Sequence, residues 1–208
     1  MTGVTGRVIG TGHHPRAMNR TVVWHDRDAL ASERCLLRAE PGGFRFDGVV
    51  VGAADGAPMF VEYVVRVDLA WRTRRVEARV NGGGGKDTRI LIADAAGAWW
   101  ADGKPIVELQ GCLDVELAIT PSTCTLLIHR LLLQEEQSQT VDVAWLRFPS
   151  LEVVRGARRY TRKGARNYTV LRVASALGGD VDGAEDDLDI DDDGLTIAYR
   201  SFRRIAHA

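Results

Sequence analysis

Hydrophobic and polar residues alternate one for one along most of this chain. The clearest run holds Val61, Tyr63, Val65, Val67 and Leu69 on one side and Glu62, Arg66 and Asp68 on the other. A period of two sends successive side chains to opposite faces, so the segment predicts a strand half buried on a core. Val76, Ala78 and Val80 repeat the pattern against Arg75, Glu77 and Arg79. Further strands are predicted at Val22–Trp24, 33–40, 44–51, 89–94, 141–149, 151–156 and 167–175, with turns at Pro41-Gly42-Gly43 and Asp102-Gly103. A last pair, 188–191 and 195–202, is predicted to meet at Asp193-Gly194. Val115, Leu117 and Ile119 alternate with Asp114 and Glu116, a further strand.

One segment breaks the period. CTLLIHRLLLQEE (124–136) is long and Leu-rich enough for a helix with Thr120 as N-cap and Pro121 at its first position, or it is a loop leading into a buried strand. The first nineteen residues are rich in Gly, Thr and His without any period and predict a disordered tail. His13-His14 lacks a third ligand for a metal site. Residues 20–208 show no break in composition and predict a single β domain of about ten strands with at most one or two short helices. The expected fold class is all-β, a single strongly curved antiparallel sheet or half-barrel.

Composition narrows the function. In 208 residues, 27 Lys and Arg against 28 Asp and Glu give a net charge of −1, which argues against a nucleic-acid partner. No stretch approaches the roughly 18 apolar residues of a membrane-spanning helix, so membrane insertion is not expected. The opening MTGVTGRVIGTGHHPR has no apolar core of the signal-peptide kind, and three widely spaced cysteines read as reduced thiols, so a cytoplasmic location is expected.

The recognisable motifs fail in detail. NGGGGK (81–86) has Val80 where a phosphate loop needs its first Gly and Asp87 where it needs Ser or Thr, so it reads as an inter-strand loop. Asp189, Asp191, Asp193 and Gly194 imitate the first half of a calcium loop, but Arg200 stands where the closing Glu belongs. No cofactor or metal is expected. The basic run Arg155–Arg166 and the acidic run Asp180–Asp193 are either complementary neighbours in the sheet or, for the basic one, a receptor for an anionic head group. Asp114 and Glu116, two apart on a strand, project from one face about 6.5 Å apart. Such a pair serves as acid and base, or as partners for nearby arginines.

The residues together resemble a bacterial family labelled glycolipid-binding. RTVVWHDRDALASERCLL (20–37) resembles its start. Tyr63, Val65, Asp68, Trp71, Thr73 and Arg74 match its Y-x-V-x-x-D-x-x-W-x-T-R segment, and residues 90–131 resemble its central block. VAWLRFPSLEVV (143–154), Tyr160, Tyr168 and DDDGLTIAYRSFRR (191–204) resemble its tail. The chain departs from the pattern at Glu116, Cys124, Leu127 and His129, and keeps Asp114, Thr120, Pro121, Thr125 and Arg130. The resemblance implies a curved sheet like that of bacterial lipid and lipoprotein carriers, and a non-enzymatic protein binding a glycolipid or other amphipathic small molecule. The expected site of such a binder has aromatic wall from Trp71, Trp99, Trp100, Trp145, Tyr63, Tyr160, Tyr168 and Tyr199, foremost Trp71, Trp99, Tyr160 and Tyr168, and a polar mouth of Arg74, Asp114, Glu116 and Arg130. The alternatives are an enzyme using Asp114 and Glu116 as acid and base, and a structural or regulatory partner without a ligand.

Overall fold

The computed structural model describes residues 18–54, 56–82, 86–173 and 183–208. Most of the predicted tail and residues 83–85 of the glycine-rich loop therefore lie outside the described residues, as do the first members of the acidic run. Fifteen strands among the described residues form one sheet. They are β1 (Asn19–Asp26), β2 (Ala31–Glu40), β3 (Gly43–Ala54), β4 (Ala57–Asp68), β5 (Thr73–Gly82), β6 (Lys86–Ala93), β7 (Trp99–Ala101), β8 (Lys104–Pro105), β9 (Asp114–Leu117), β10 (Ser138–Leu146), β11 (Val153–Arg162), β12 (Asn167–Val173), β13 (Glu185–Ile190), β14 (Thr196–Tyr199) and β15 (Phe202–His207). Their spatial order is β8-β7-β6-β5-β4-β3-β2-β1-β15-β14-β13-β12-β11-β10-β9. Short hairpins make nearly every pairing antiparallel. The exception is β9 with β10, which is parallel because a helix lies between them in sequence.

The sheet is not closed by a ladder between its edge strands, but its ends meet. The Thr73 amide donates to Leu113 O at 2.9 Å, and the Val115 amide donates to Thr73 Oγ1 at 3.0 Å. The Gly111 amide reaches Gly97 O at 2.8 Å, and Arg155 donates to the carbonyls of Glu108 and Gln110. The chain between β8 and β9 thus bridges the two edges.

The period-two faces point where expected, except at Leu69, which lies in the turn after β4 and is exposed. Val61, Tyr63, Val65 and Val67 of β4 and Val76, Ala78 and Val80 of β5 join one core cluster with Trp24, Phe46, Leu91 and Trp99. A second cluster gathers Val143, Tyr160, Tyr168, Val170, Leu188 and Tyr199 around α1 (Cys124–Leu131). Residues 120–128 are all buried, so α1 fills the concave side of this half.

Several boundaries differ from the sequence reading. The helix begins at Cys124, not at Pro121: Thr120 Oγ1 instead accepts from the Ser122 amide at 3.0 Å, and Thr123 occupies the N-cap with helical backbone, its hydroxyl accepting from the Leu117 amide at 3.3 Å rather than capping the helix. Leu132 ends the helix in the left-handed region, φ 47°. The segment 195–202 is two strands, because Arg200 at φ 54° turns the chain between β14 and β15. Asn19, assigned to the tail, is the first residue of β1.

Candidate functional site

The strand β9 carries Asp114 and Glu116 on one face, while Val115 and Leu117 on the other join the first core cluster. The two carboxylates do not act on each other. Asp114, fully buried, takes a bidentate pair from Arg130 of α1 at 2.7 and 2.5 Å. Burial raises its pKa, and Arg130 only partly opposes the rise. Glu116 takes a bidentate pair from Arg158 of β11 at 2.5 and 2.9 Å, and Arg158 is itself buried. Such fork geometry fixes both partners.

The predicted set therefore divides. Arg74 lies away from these pairs: it is the extra residue of a bulge, since Arg66 pairs with Arg75 and Val67 with Thr73. Its guanidinium binds Asp68 at 2.5 Å. Burial acts to raise the Asp68 pKa, but the Arg72 amide and Arg74 outweigh it and hold it below the usual range. Trp71 sits at φ 62° between Phe44, with ring centroids 4.1 Å apart, and His129, at 4.0 Å. Burial lowers the pKa of His129, whose Nε2 lies 2.9 Å from Asp193 O. Trp99 is in the first core and donates to Cys112 O at 2.8 Å. Tyr160 and Tyr168 belong to the second cluster, where burial drives the Tyr160 hydroxyl pKa well up.

Glu116 reaches the surface in a cleft of about 130 Å³. Thr120 and Cys124 lie beside it, Trp145, Tyr199 and Phe202 supply aromatic wall, and Arg172 and Arg200 complete the rim. Arg147, Arg158 and Arg172 stand 4.6, 5.4 and 6.0 Å from the centre of the Trp145 ring. Arg200 pairs with Asp186 at 2.6 Å. Of the residues singled out for the site in the sequence, Glu116, Trp145 and Tyr199 line this cleft, and Trp71, Arg74, Trp99, Asp114, Arg130, Tyr160 and Tyr168 do not.

The charge runs find partners in different ways. Arg166 pairs with Asp192 of the acidic run, and its carbonyl accepts from the Ile190 amide, while Arg155 pairs with Asp142 and Arg162 donates to the carbonyls of Leu133, Gly164 and Ala165. The calcium-like turn is tied internally. Asp191 accepts from the amides of Asp193 and Leu195 and pairs with Arg204, and Asp193 pairs with Arg20. Among the described residues no helix is long and apolar enough to cross a membrane. The three cysteines are free and buried.

Sequence reasoning also missed a buried polar cluster. Glu33 of β2, Tyr63 of β4, Thr120 and Ser122 meet inside the sheet. Tyr63 donates to Glu33 Oε1. Gly48 makes room, because a Cβ there would fall on the Tyr63 ring. Burial pushes the Glu33 carboxyl up to about 7, against the donors Thr120 and Tyr63. The inward position of Glu33, in step with Cys35 and Leu37, is the one signal in the sequence that marks it.

Fold and site define a class: one curved, mixed sheet, not closed into a barrel, with a buried helix and a small aromatic and charged cleft. The chain belongs to the family described as "Putative glycolipid-binding", whose model matches residues 21–204. The crystal structure of a DUF1089 family protein from Pseudomonas aeruginosa is similar, with TM-score 0.74 and 27% identity over 84% of this chain and 92% of that one. A β-barrel-like protein of domain of unknown function DUF1849 from Brucella abortus shares the fold, with TM-score 0.56 and 9% identity over 92% of this chain and 98% of that one. No curated protein matches the sequence.

Proposed function

We propose that the chain is a non-enzymatic binding protein that holds the polar head of an amphipathic, glycolipid-type ligand in the cleft beside Glu116. The observation that carries this is the convergence of Trp145, Tyr199 and Phe202 with Glu116, Thr120, Arg172 and Arg200 around one hollow. Aromatic faces and a few directed polar groups are what a sugar or ionic head requires. A volume of about 130 Å³ is well below the roughly 300 Å³ where pockets for larger ligands begin, so the head enters and the apolar tail stays outside. Membership of the family supports the ligand class. The enzyme reading is weaker, because Asp114 and Glu116 are each held by their own arginine, which suits scaffold better than proton transfer.

Titration with octyl glucoside, followed by the indole NMR signals, tests the reading. The Trp145 signal is expected to shift, with the shift lost in Trp145→Ala. Native mass spectrometry of protein purified from its own host should show a retained amphiphile. Signals moving only at Trp24 or Trp99, or no movement at all, would remove the cleft from consideration.

A further inference from the structure

Thr120 belongs to two structures at once. It stands in the cleft wall, and its hydroxyl belongs to a buried hydroxyl cluster in which it donates to Ser122 and lies 3.4 Å from the Tyr63 hydroxyl. Thr120 Oγ1 donates to Ser122 Oγ at 2.9 Å, Ser122 Oγ lies 2.7 Å from the Tyr63 hydroxyl, and Tyr63 donates to Glu33 Oε1. Glu33 is 2% exposed, and its Oε2 has no hydrogen-bond partner. An ionised carboxylate wants donors on both oxygens, whereas a protonated one leaves Oε2 a plain carbonyl oxygen that tolerates burial better. Among the described residues no ion pair reaches Glu33. Tyr63 faces it from β4, Thr120 from the loop before α1, and Cys35 shares its face of β2. Asp47 of β3 and Arg34 of β2 are the charged groups that act on Cys35 nearby.

A chain of hydroxyls can run in either of two directions. With Glu33 ionised, every O–H points inward, from Thr120 through Ser122 and Tyr63 to the carboxylate. With Glu33 protonated, Glu33 donates to Tyr63, Tyr63 to Ser122 and Ser122 to Thr120, and the Thr120 O–H is released from Ser122, with only the long 3.4 Å contact to Tyr63 left to it inside the cluster. We propose that the cleft binds an acceptor-only oxyanion, such as a sulfate or phosphodiester group, beside Thr120, and that Glu33 provides the donor for it through this hydroxyl chain. The proposal rests on the cleft being the ligand site and names the chemistry of the head it takes. Binding at a pH where Glu33 is ionised takes up one proton from solvent onto Glu33, and no other bond changes. A sugar hydroxyl, able to donate or accept, is indifferent to the direction of the chain.

The test follows the Glu33 side-chain carboxyl and the Thr120 methyl by carbon NMR from pH 5 to 9, with sulfate and octyl sulfate below its micelle concentration as probes. Both carbons are expected to titrate together, and the Thr120 response should vanish in Glu33→Gln. Sulfate is expected to bind about tenfold tighter at pH 5.5 than at pH 8.5, as one extra hydrogen bond to a charged group would give. That dependence should be absent in Glu33→Gln and in Thr120→Val, while Glu33 still titrates in the latter. Tighter binding of octyl sulfate assigns an amphiphile's head, and equal binding assigns the free ion; both carry the proposal. A Thr120 methyl that stays flat while Glu33 titrates overturns it, as does a pH dependence that survives both substitutions. If octyl glucoside shifts Trp145 and sulfate does not, the cleft stands and this proposal falls; if neither shifts it, both fall.

Discussion

At the scale of single residues, two buried carboxyl groups show opposite solutions to the same desolvation. Glu33 has hydroxyl neighbours and remains protonated up to a pKa of about 7, from an ordinary 4.5. The sign follows from proton binding. Between pH 4.5 and 7 the folded state holds a proton that the unfolded state has lost, so stability falls as pH rises through this window and is flat above it. The shift corresponds to about 3 kcal/mol. Chemical denaturation at pH 5 and pH 8 should show this loss in the wild type and not in Glu33→Gln; equal losses in both would remove Glu33 as the cause. Asp114 is buried against Arg130 instead. Arg130→Met leaves the carboxylate without its counter-ion and should cost about 3–5 kcal/mol at pH 7. Because burial already raises the Asp114 pKa, that deficit should shrink as pH falls and the carboxyl takes up a proton. Asp114→Asn should cost less, since the Arg130 side chain keeps 16% of its exposure to water. Thermal melts across pH would contradict this if the Arg130→Met deficit grew in acid.

At the scale of elements, β9 and the start of β5 decide how the sheet closes. Thr73 does two jobs there: its amide donates to Leu113 O and its hydroxyl accepts from the Val115 amide, with both groups buried. Thr73→Val keeps the shape and removes the acceptor, so the Val115 amide is left unsatisfied. A loss of about 1–3 kcal/mol is expected, together with faster amide exchange at Val115. Unchanged exchange there would show that the seam does not depend on this bond. The bulge at Arg74 works beside it. By breaking the alternation of β5, it sends the guanidinium to Asp68 rather than toward Asp114.

At the scale of the molecule, the two core clusters are not separable. Strand β10 gives Val143 to one and Ala144 and Leu146 to the other, and α1 divides Leu126 and Leu127 between them in the same way. Trp24 of β1 donates to Thr196 O of β14 at 2.9 Å, and Thr196 Oγ1 donates to Pro121 O at 3.2 Å, tying both halves to the loop before the helix. Shared elements make each half lose its packing when the other opens. Denaturant unfolding followed by tryptophan fluorescence and by far-ultraviolet circular dichroism should therefore give one coincident transition. Two resolved midpoints would mean that the clusters fold as separate units.

The sequence by itself determined the strands, their buried faces and the all-β class, because a period of two is local and each strand buries whichever face is apolar. It also determined that Asp114 and Glu116 share a face of β9. It marked the place of α1 but not its first residue, since Thr120 and Thr123 offer competing hydroxyls that only the packed loop chooses between. Three things were decided by the tertiary structure alone. The partners of the carboxylates come from strands and a helix 16 and 42 residues away. The position of Arg74 depends on a bulge that no composition signals. The Glu33–Tyr63–Ser122–Thr120 cluster joins residues up to 89 positions apart, and each of them alone reads as an ordinary strand or turn residue. Pairing across such distances depends on how the whole sheet curls, and local periodicity carries no information about that curl.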